Sequence, residues 1–238
     1  MDYRWHWGVL LQPVATGEPA TYLDWLLSGL VNTVELTLLA FSLALAMGTV
    51  FGVLRTLPTR AARAAYVSIF RGVPLIVQFF IWFFVVPELL PTAAGDWFKS
   101  LPSHPQFLLA SVVSLGVYTG SRICEQVRAG ISARPVGQFH AACALGLTRT
   151  QAYRYVLLPV TFRTILGPLT SEFLTISKNS AVASTIGLLE LSGQARQLVD
   201  YTAQPYESFI CVTLAYMGLN FAILRGMGWV RRRPRCLE

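Results

Sequence analysis

Gly137-Gln138-Phe139-His140-Ala141-Ala142-Cys143-Ala144-Leu145-Gly146-Leu147-Thr148, continuing as Arg149-Thr150-Gln151-Ala152-Tyr153-Arg154-Tyr155-Val156-Leu157-Leu158-Pro159, is the stretch on which the reading of the fold turns. It carries two arginines, several polar residues and many small ones, yet long apolar runs flank it on both sides. Such a segment is too charged to cross lipid and too regular for a plain linker. Ala141, Ala142, Leu145 and Gly146 recur at helical spacing, so a short helix with one smooth face is expected. That face would either pack against a neighbouring helix or receive the surface of another protein.

Composition decides what surrounds it. Of 238 residues, 54% are hydrophobic and 13% charged, about half the charged share of an ordinary soluble domain. So few charges cannot coat a globular surface, and lipid must cover part of the chain. The net charge of +7 comes from 17 arginines and two lysines. They cluster between apolar runs, which suits membrane topology and argues against nucleic acid as a partner. The four cysteines are widely spaced with no CxxC pair, and the three histidines are isolated, so neither a disulfide framework nor a metal site is expected. The N-terminus lacks the features of a cleaved signal peptide, so the first membrane helix is expected to direct insertion.

Uncharged runs long enough to span a bilayer set the expected organisation. The reading is an all-α integral membrane protein with an N-terminal segment at 1–24 and a transmembrane domain at 25–225. Five spans are expected at about 27–54, 70–90, 105–122, 162–187 and 207–226, with a long basic loop at 123–161 and a basic tail at 226–238. The fourth span is read as broken or shallow, since Gly167, Pro168, Glu172 and Lys178 interrupt it. Fifteen of the 19 positive residues fall on one side of this arrangement. The positive-inside rule then puts the N-terminus outside, the C-terminus in the cytoplasm and the Gly137–Pro159 stretch on the cytoplasmic side.

No GxxxxGK[ST] phosphate loop, GxSxG or HExxH pattern occurs, so the chain is not expected to hydrolyse nucleotide or to run covalent catalysis. At this point a resemblance becomes specific. Ala141-Ala142, three residues, Gly146, nine residues, Val156, one residue and Leu158-Pro159 resembles the EAA loop of binding-protein-dependent ABC import permeases. Five of the seven positions of that pattern are identical; Val156 replaces isoleucine, and His140 stands where the family has glutamate. Phe70-Arg71-Gly72-Val73-Pro74-Leu75, Glu125-Gln126-Val127-Arg128-Ala129-Gly130-Ile131 and Lys178-Asn179-Ser180-Ala181 are similar to stretches of the polar amino acid permeases. Trp5-His6-Trp7-Gly8 and Pro87-Glu88-Leu89-Leu90-Pro91 most resemble the glutamate/aspartate branch.

The resemblance implies a type I ABC importer permease fold (MetI-like) in a bacterial inner membrane. It implies that Gly137, Gln138, His140, Ala141, Ala142, Leu145, Gly146, Leu158 and Pro159 couple the chain to a separate ATPase subunit. ATP and Mg would bind that subunit, leaving this chain without a cofactor. A second permease, identical or related, and a periplasmic amino-acid-binding protein are the other implied partners. Glutamate and aspartate are the implied cargo, with glutamine, histidine or arginine as alternatives.

Glu172 has a physical reading of its own. An acid inside a span is costly and faces a cavity or a cation. It could meet the α-ammonium of an amino acid while Lys178, or the N-terminus of a half-helix, meets a carboxylate. The resemblance places Glu172 near the substrate site and adds Asn179 and Ser180 to the same region. The competing reading is a Glu172–Lys178 or Glu172–arginine pair that holds helices together. Two further functions stay open. A secondary transporter would need ion-coupling residues and internal repeats; a membrane-embedded enzyme would need clustered His, Cys or acids on facing spans.

Overall fold

The computed structural model describes residues 3–56 and 61–232, without the side chains of residues 61–66. Pro58, Arg60, the side chain of Arg63 and the end of the basic tail from Arg233 therefore lie outside the described residues. Regular structure in the described residues is helical, apart from one isolated antiparallel bridge between Pro13 and Thr21. The longer helices are α1 (Tyr22–Leu54), α2 (Ala61–Gly72), α3 (Leu75–Leu89), α4 (Thr92–Ser100), α5 (Ser103–Ser132), α6 (Val136–Ala144), α7 (Leu158–Asn179), α8 (Leu191–Thr202) and α9 (Pro205–Arg232). The all-α expectation holds.

The expected five spans are corrected to three. Among the described residues only α1, α5 and α9 are long and apolar enough to cross a membrane, with 33, 30 and 28 residues. The region expected as span two is interrupted. Helix α2 stops at Gly72, Pro74 follows, and α3 restarts at Leu75 with a wider π-type turn over Ile81–Val85. Its apolar helical run, Leu75–Leu89, falls in the shorter class; at about 1.5 Å per residue it is shorter than a bilayer core. The region expected as span four fails on polarity. Helix α7 runs through Pro168 without breaking but carries Arg163, Glu172 and Lys178, and a 3-10 turn, Ser180–Ile186, replaces it beyond Asn179. Apolar residues continue across both breaks, so a count of uncharged residues does not see them.

The chain divides into two compact units. The first comprises Met1–Ala40, Leu75–Leu115 and Thr175–Ala222; the second comprises Phe41–Pro74, Gly116–Leu174 and Ile223–Glu238. Each of α1, α5 and α9 begins in the first unit and ends in the second, and the chain returns to the first at Leu75 and at Thr175.

In the first unit, Val9, Val14, Tyr22, Trp25 and Leu26 pack with Leu191, Ala195 and Leu198 of α8 and Val212 of α9. Glu190 caps α8: its carboxylate accepts from the backbone N–H of Ser192 at 3.0 Å and of Gly193 at 2.8 Å, and from the Tyr216 hydroxyl at 2.7 Å. The N-terminal segment is tied down at the start of α9, where the Glu207 carboxylate accepts from the Tyr3 hydroxyl and, at 2.7 Å, from the His6 backbone N–H.

In the second unit α1 and α5 approach closely through glycine. A Cβ placed on Gly48 would lie 2.6 Å from the Ile123 side chain and 3.0 Å from the Gly120 carbonyl oxygen. One placed on Gly52 would lie 2.7 Å from Val127. Small residues let helix backbones meet in this way where lipid offers no hydrophobic gain from association. Gly48→Leu should therefore lower the melting temperature of the detergent-purified protein, since overpacking costs about 1–3 kcal/mol. Gly218→Leu, at a position where an added Cβ meets nothing within 4 Å, is the control. An unchanged melting temperature in Gly48→Leu would contradict the close contact.

Candidate functional site

Two features of the second unit are candidates. The first is a cavity of about 450 Å³ lined by Arg71, Tyr118, Arg122, Glu125, Gln126 and Glu172. Four of these residues come from α5. Tyr118, Arg122, Glu125 and Gln126 follow at spacings of four, three and one, which puts them on one helix face. Glu172 reaches the cavity from α7 and Arg71 from the last turn of α2.

Glu172 is only 4% exposed. The Arg122 Nε donates to its Oε1 at 3.1 Å and stands 3.0 Å from its Oε2, and Gln126 Nε2 donates to Oε1 at 2.8 Å. The Arg122 side chain remains 40% exposed, so its guanidinium is reachable from the cavity. Glu172 Oε2 and Gln126 Oε1 are both buried and accept no hydrogen bond among the described residues. Glu125 sits between two guanidinium groups, ion-paired with Arg55 and with Arg128, the latter at 2.9 Å. The cavity thus combines fixed charges of both signs with buried acceptors, within the size range of small-molecule sites.

The structure places Glu172 against an arginine, one of the two arrangements that the sequence left open for an ion pair, and does so at a cavity wall. Of the other residues expected along the pathway, Lys178 is exposed in the last turn of α7 and Asn179 is half-buried at its end. Ser180 is buried and donates to the Ser177 carbonyl at 2.7 Å. These three belong to the first unit, whereas Glu172 belongs to the second. Sequence reasoning missed Arg122 and Gln126 as partners of Glu172. Their i, i+4 spacing was the available signal, but hydropathy placed Arg122 at the end of an expected span, where an arginine reads as a headgroup anchor.

The second feature is α6 and its exit. Leu145 caps the helix, and Gly146 follows in the left-handed region at φ +88°. The Gly146 N–H donates to the Cys143 carbonyl at 3.0 Å, and the Leu147 N–H donates to the Ala142 carbonyl at 3.2 Å. These two bonds form a Schellman turn, which glycine favours because it has no Cβ to clash at positive φ. The turn leaves Leu145 86% exposed, and Val136 at the other end of α6 is 71% exposed. Gly137, Gln138, His140, Ala141 and Gly146 are exposed as well, but Ala142 is buried. The expected smooth face is therefore split, with Ala142 packed inward and Ala141 and Leu145 pointing out.

After the turn, Thr148 and Gln151 form a reciprocal capping box. A π-type turn over Tyr153–Leu157 leads into α7, where Leu158 is half-buried and Pro159 exposed. The Tyr153 ring meets Phe139 of α6 edge-on at 5.9 Å, and its hydroxyl lies 2.9 Å from Thr56 Oγ1. These contacts brace α6 while its outer residues stay uncovered.

Residues 43–235 match the family model described as the binding-protein-dependent transport system inner membrane component. The chain belongs to this family. It is 49% identical over 239 residues to the glutamate/aspartate import permease protein GltJ of Escherichia coli (strain K12), covering 99% of this chain and 97% of that one. The fold is similar to a crystal structure of an amino acid ABC transporter with histidines, at TM-score 0.72 and 28% identity over 90% of this chain and 95% of that one. It is also similar to the inward-facing MetNI methionine ABC transporter, at TM-score 0.71 and 23% identity over 88% and 96%. The second likeness supports the fold alone. The permease is thus a multi-pass inner-membrane transport subunit rather than a catalytic enzyme, and one component of a multi-subunit importer.

Proposed function

We propose that this permease carries acidic amino acids, glutamate and aspartate, inward across the bacterial inner membrane as part of an ATP-driven importer. The observation that carries the proposal is the 49% identity to a glutamate/aspartate import permease over 99% of the chain. Its partners are an ABC ATPase subunit, which binds ATP and Mg, an external amino-acid-binding protein, and a second permease chain, identical or related. Three long apolar helices in one chain support the last of these, since they are too few to enclose a pathway.

The orientation follows from charge. Arginines mark the C-terminal ends of the long helices: Arg55 just after α1, Arg122 and Arg128 late in α5, and Arg225, Arg231 and Arg232 late in α9. Acids stand in the first turns of two of them, Asp24 in α1 and Glu207 in α9. The positive-inside rule puts the arginine-rich ends in the cytoplasm and the N-terminus outside. Helix α6 shares the second unit with those ends, which supports a cytoplasmic coupling segment.

In this reading Gly137, Gln138, His140, Ala141, Leu145 and Gly146 meet the ATPase, and Ala142 holds the helix from behind. Leu158 and Pro159 fix the entry into α7. Closure of the ATPase on ATP moves α6, and rigid-body motion of the helices changes which side the cavity faces. Glu172, Lys178, Asn179 and Ser180 are the residues assigned to the substrate pathway. A cysteine at Leu145, treated with a short bifunctional reagent in native membranes, should cross-link to a nucleotide-binding subunit. Cross-links only to other membrane chains would contradict this role for α6.

A further inference from the structure

The Glu172 cavity carries more than a place for a substrate, because its charges do not balance. Six ionised groups line or buttress it: Arg55, Arg71, Arg122 and Arg128 against Glu125 and Glu172. That is four positive against two negative, an excess of two. Glu125 is covered by Arg55 and Arg128, and Glu172 by Arg122 and Gln126. Arg71 lines the same cavity, near enough for its charge to favour the ionised Glu172, and has no salt bridge within 4 Å among the described residues. Two arginines therefore border the space, Arg71 as a lining residue and Arg122 with a side chain 40% exposed. Against them stand Gln126 Oε1, a buried oxygen without a donor, and Glu172 Oε2, a buried oxygen that faces the Arg122 Nε at 3.0 Å.

This set of groups has a definite complement. A buried acceptor without a donor is costly, and an ammonium group supplies several N–H donors at once. A guanidinium binds a carboxylate best, through paired charge-assisted bonds. A neutral amino acid offers one ammonium and one carboxylate. An acidic one offers one ammonium and two carboxylates, together with the net negative charge that the excess of arginine favours.

We propose that Arg122 and Arg71 are the charge-selecting residues of this permease, receiving the two carboxylates of an acidic amino acid while Glu172 and Gln126 receive its α-ammonium. Glu172 then has two tasks. In the empty cavity it is the counter-ion that keeps Arg122 in place, and in the loaded cavity it shares Arg122 with the substrate and gives up part of that contact to the ammonium. The chain thus discriminates by charge a second time, after the external binding protein. The inference rests on reading this chain as an amino acid permease.

The test uses the assembled complex of both permease chains and the ATPase, in nanodiscs and without the external binding protein. Radiolabelled glutamate and glutamine are each titrated. The wild-type complex should prefer glutamate by about ten-fold or more, the scale of one charge-assisted contact. Arg122→Gln and Arg71→Gln should each bring that preference toward parity, and Arg122→Lys should keep most of it. Since Arg122→Gln leaves Glu172 without its counter-ion, the double variant Arg122→Gln/Glu172→Gln provides a cavity without that buried charge, and it too should fail to discriminate. A wild-type complex without preference, or an Arg122→Gln complex with the wild-type preference, would overturn the inference. Either result leaves the proposed function standing if the complete importer still takes up glutamate with ATP; absence of that uptake is what defeats the proposed function.

Discussion

Gly146→Trp abolishes ATP-driven uptake while the protein still inserts into the membrane in normal amount. Two effects combine. Gly146 sits at φ +88°, where any other residue is strained by roughly 1–2 kcal/mol. No atom beyond its chain neighbours lies within 4 Å of where its Cβ would be, so the first atom of an added side chain has room. A tryptophan there projects from the same exposed turn as Leu145, into the space assigned to the ATPase. Gly146→Ala separates the two effects, because it carries the strain without the bulk. It should lower stability slightly and reduce uptake far less than tryptophan does. Normal transport by Gly146→Trp would remove the turn after α6 from the coupling surface.

Glu172→Gln is the second large effect. The substitution keeps the side chain's shape and most of its hydrogen-bonding capacity but removes the charge that faces Arg122. Uptake and substrate-stimulated ATP hydrolysis by the assembled complex should fall by about ten-fold or more, in line with the loss of one charged contact. The two readings of this residue differ in what else changes. If Glu172 only held helices together, the loss would appear as a lower melting temperature, with uptake per folded molecule preserved. Because the Arg122 side chain is 40% exposed, solvent screens the pair and its structural contribution is modest. The defect is therefore expected in transport more than in stability.

The contrast between α6 and α7 explains what could be read from the sequence. Helix α6 and its stop were legible because their signals are local. Ala141-Ala142 and Gly146 mark a short helix and its stop, and the Schellman turn is a property of adjacent residues. The inward packing of Ala142 was not legible, since it depends on a distant partner surface. Glu172 was legible as a costly acid, but Arg122 and Gln126 were not visible as its companions because they lie on α5, some fifty residues earlier in the chain. The number of apolar spans was misread for a related reason. Hydropathy counts residues between charges, whereas the break at Pro74, the π-type turn at Ile81–Val85 and the 3-10 turn at Ser180–Ile186 are backbone events. Lys178, Asn179 and Ser180 are grouped with Glu172 by the charge of Lys178 and by the resemblance; they lie in the first unit and Glu172 in the second.

The measurement that reaches the central claim most directly is uptake by proteoliposomes holding this permease, its ATPase and its second permease, with the external binding protein added outside and radiolabelled glutamate supplied. With ATP inside the vesicles, glutamate should accumulate above its external concentration, and omission of ATP should stop accumulation. Accumulation that continues without ATP, driven by an ion gradient, would contradict the account.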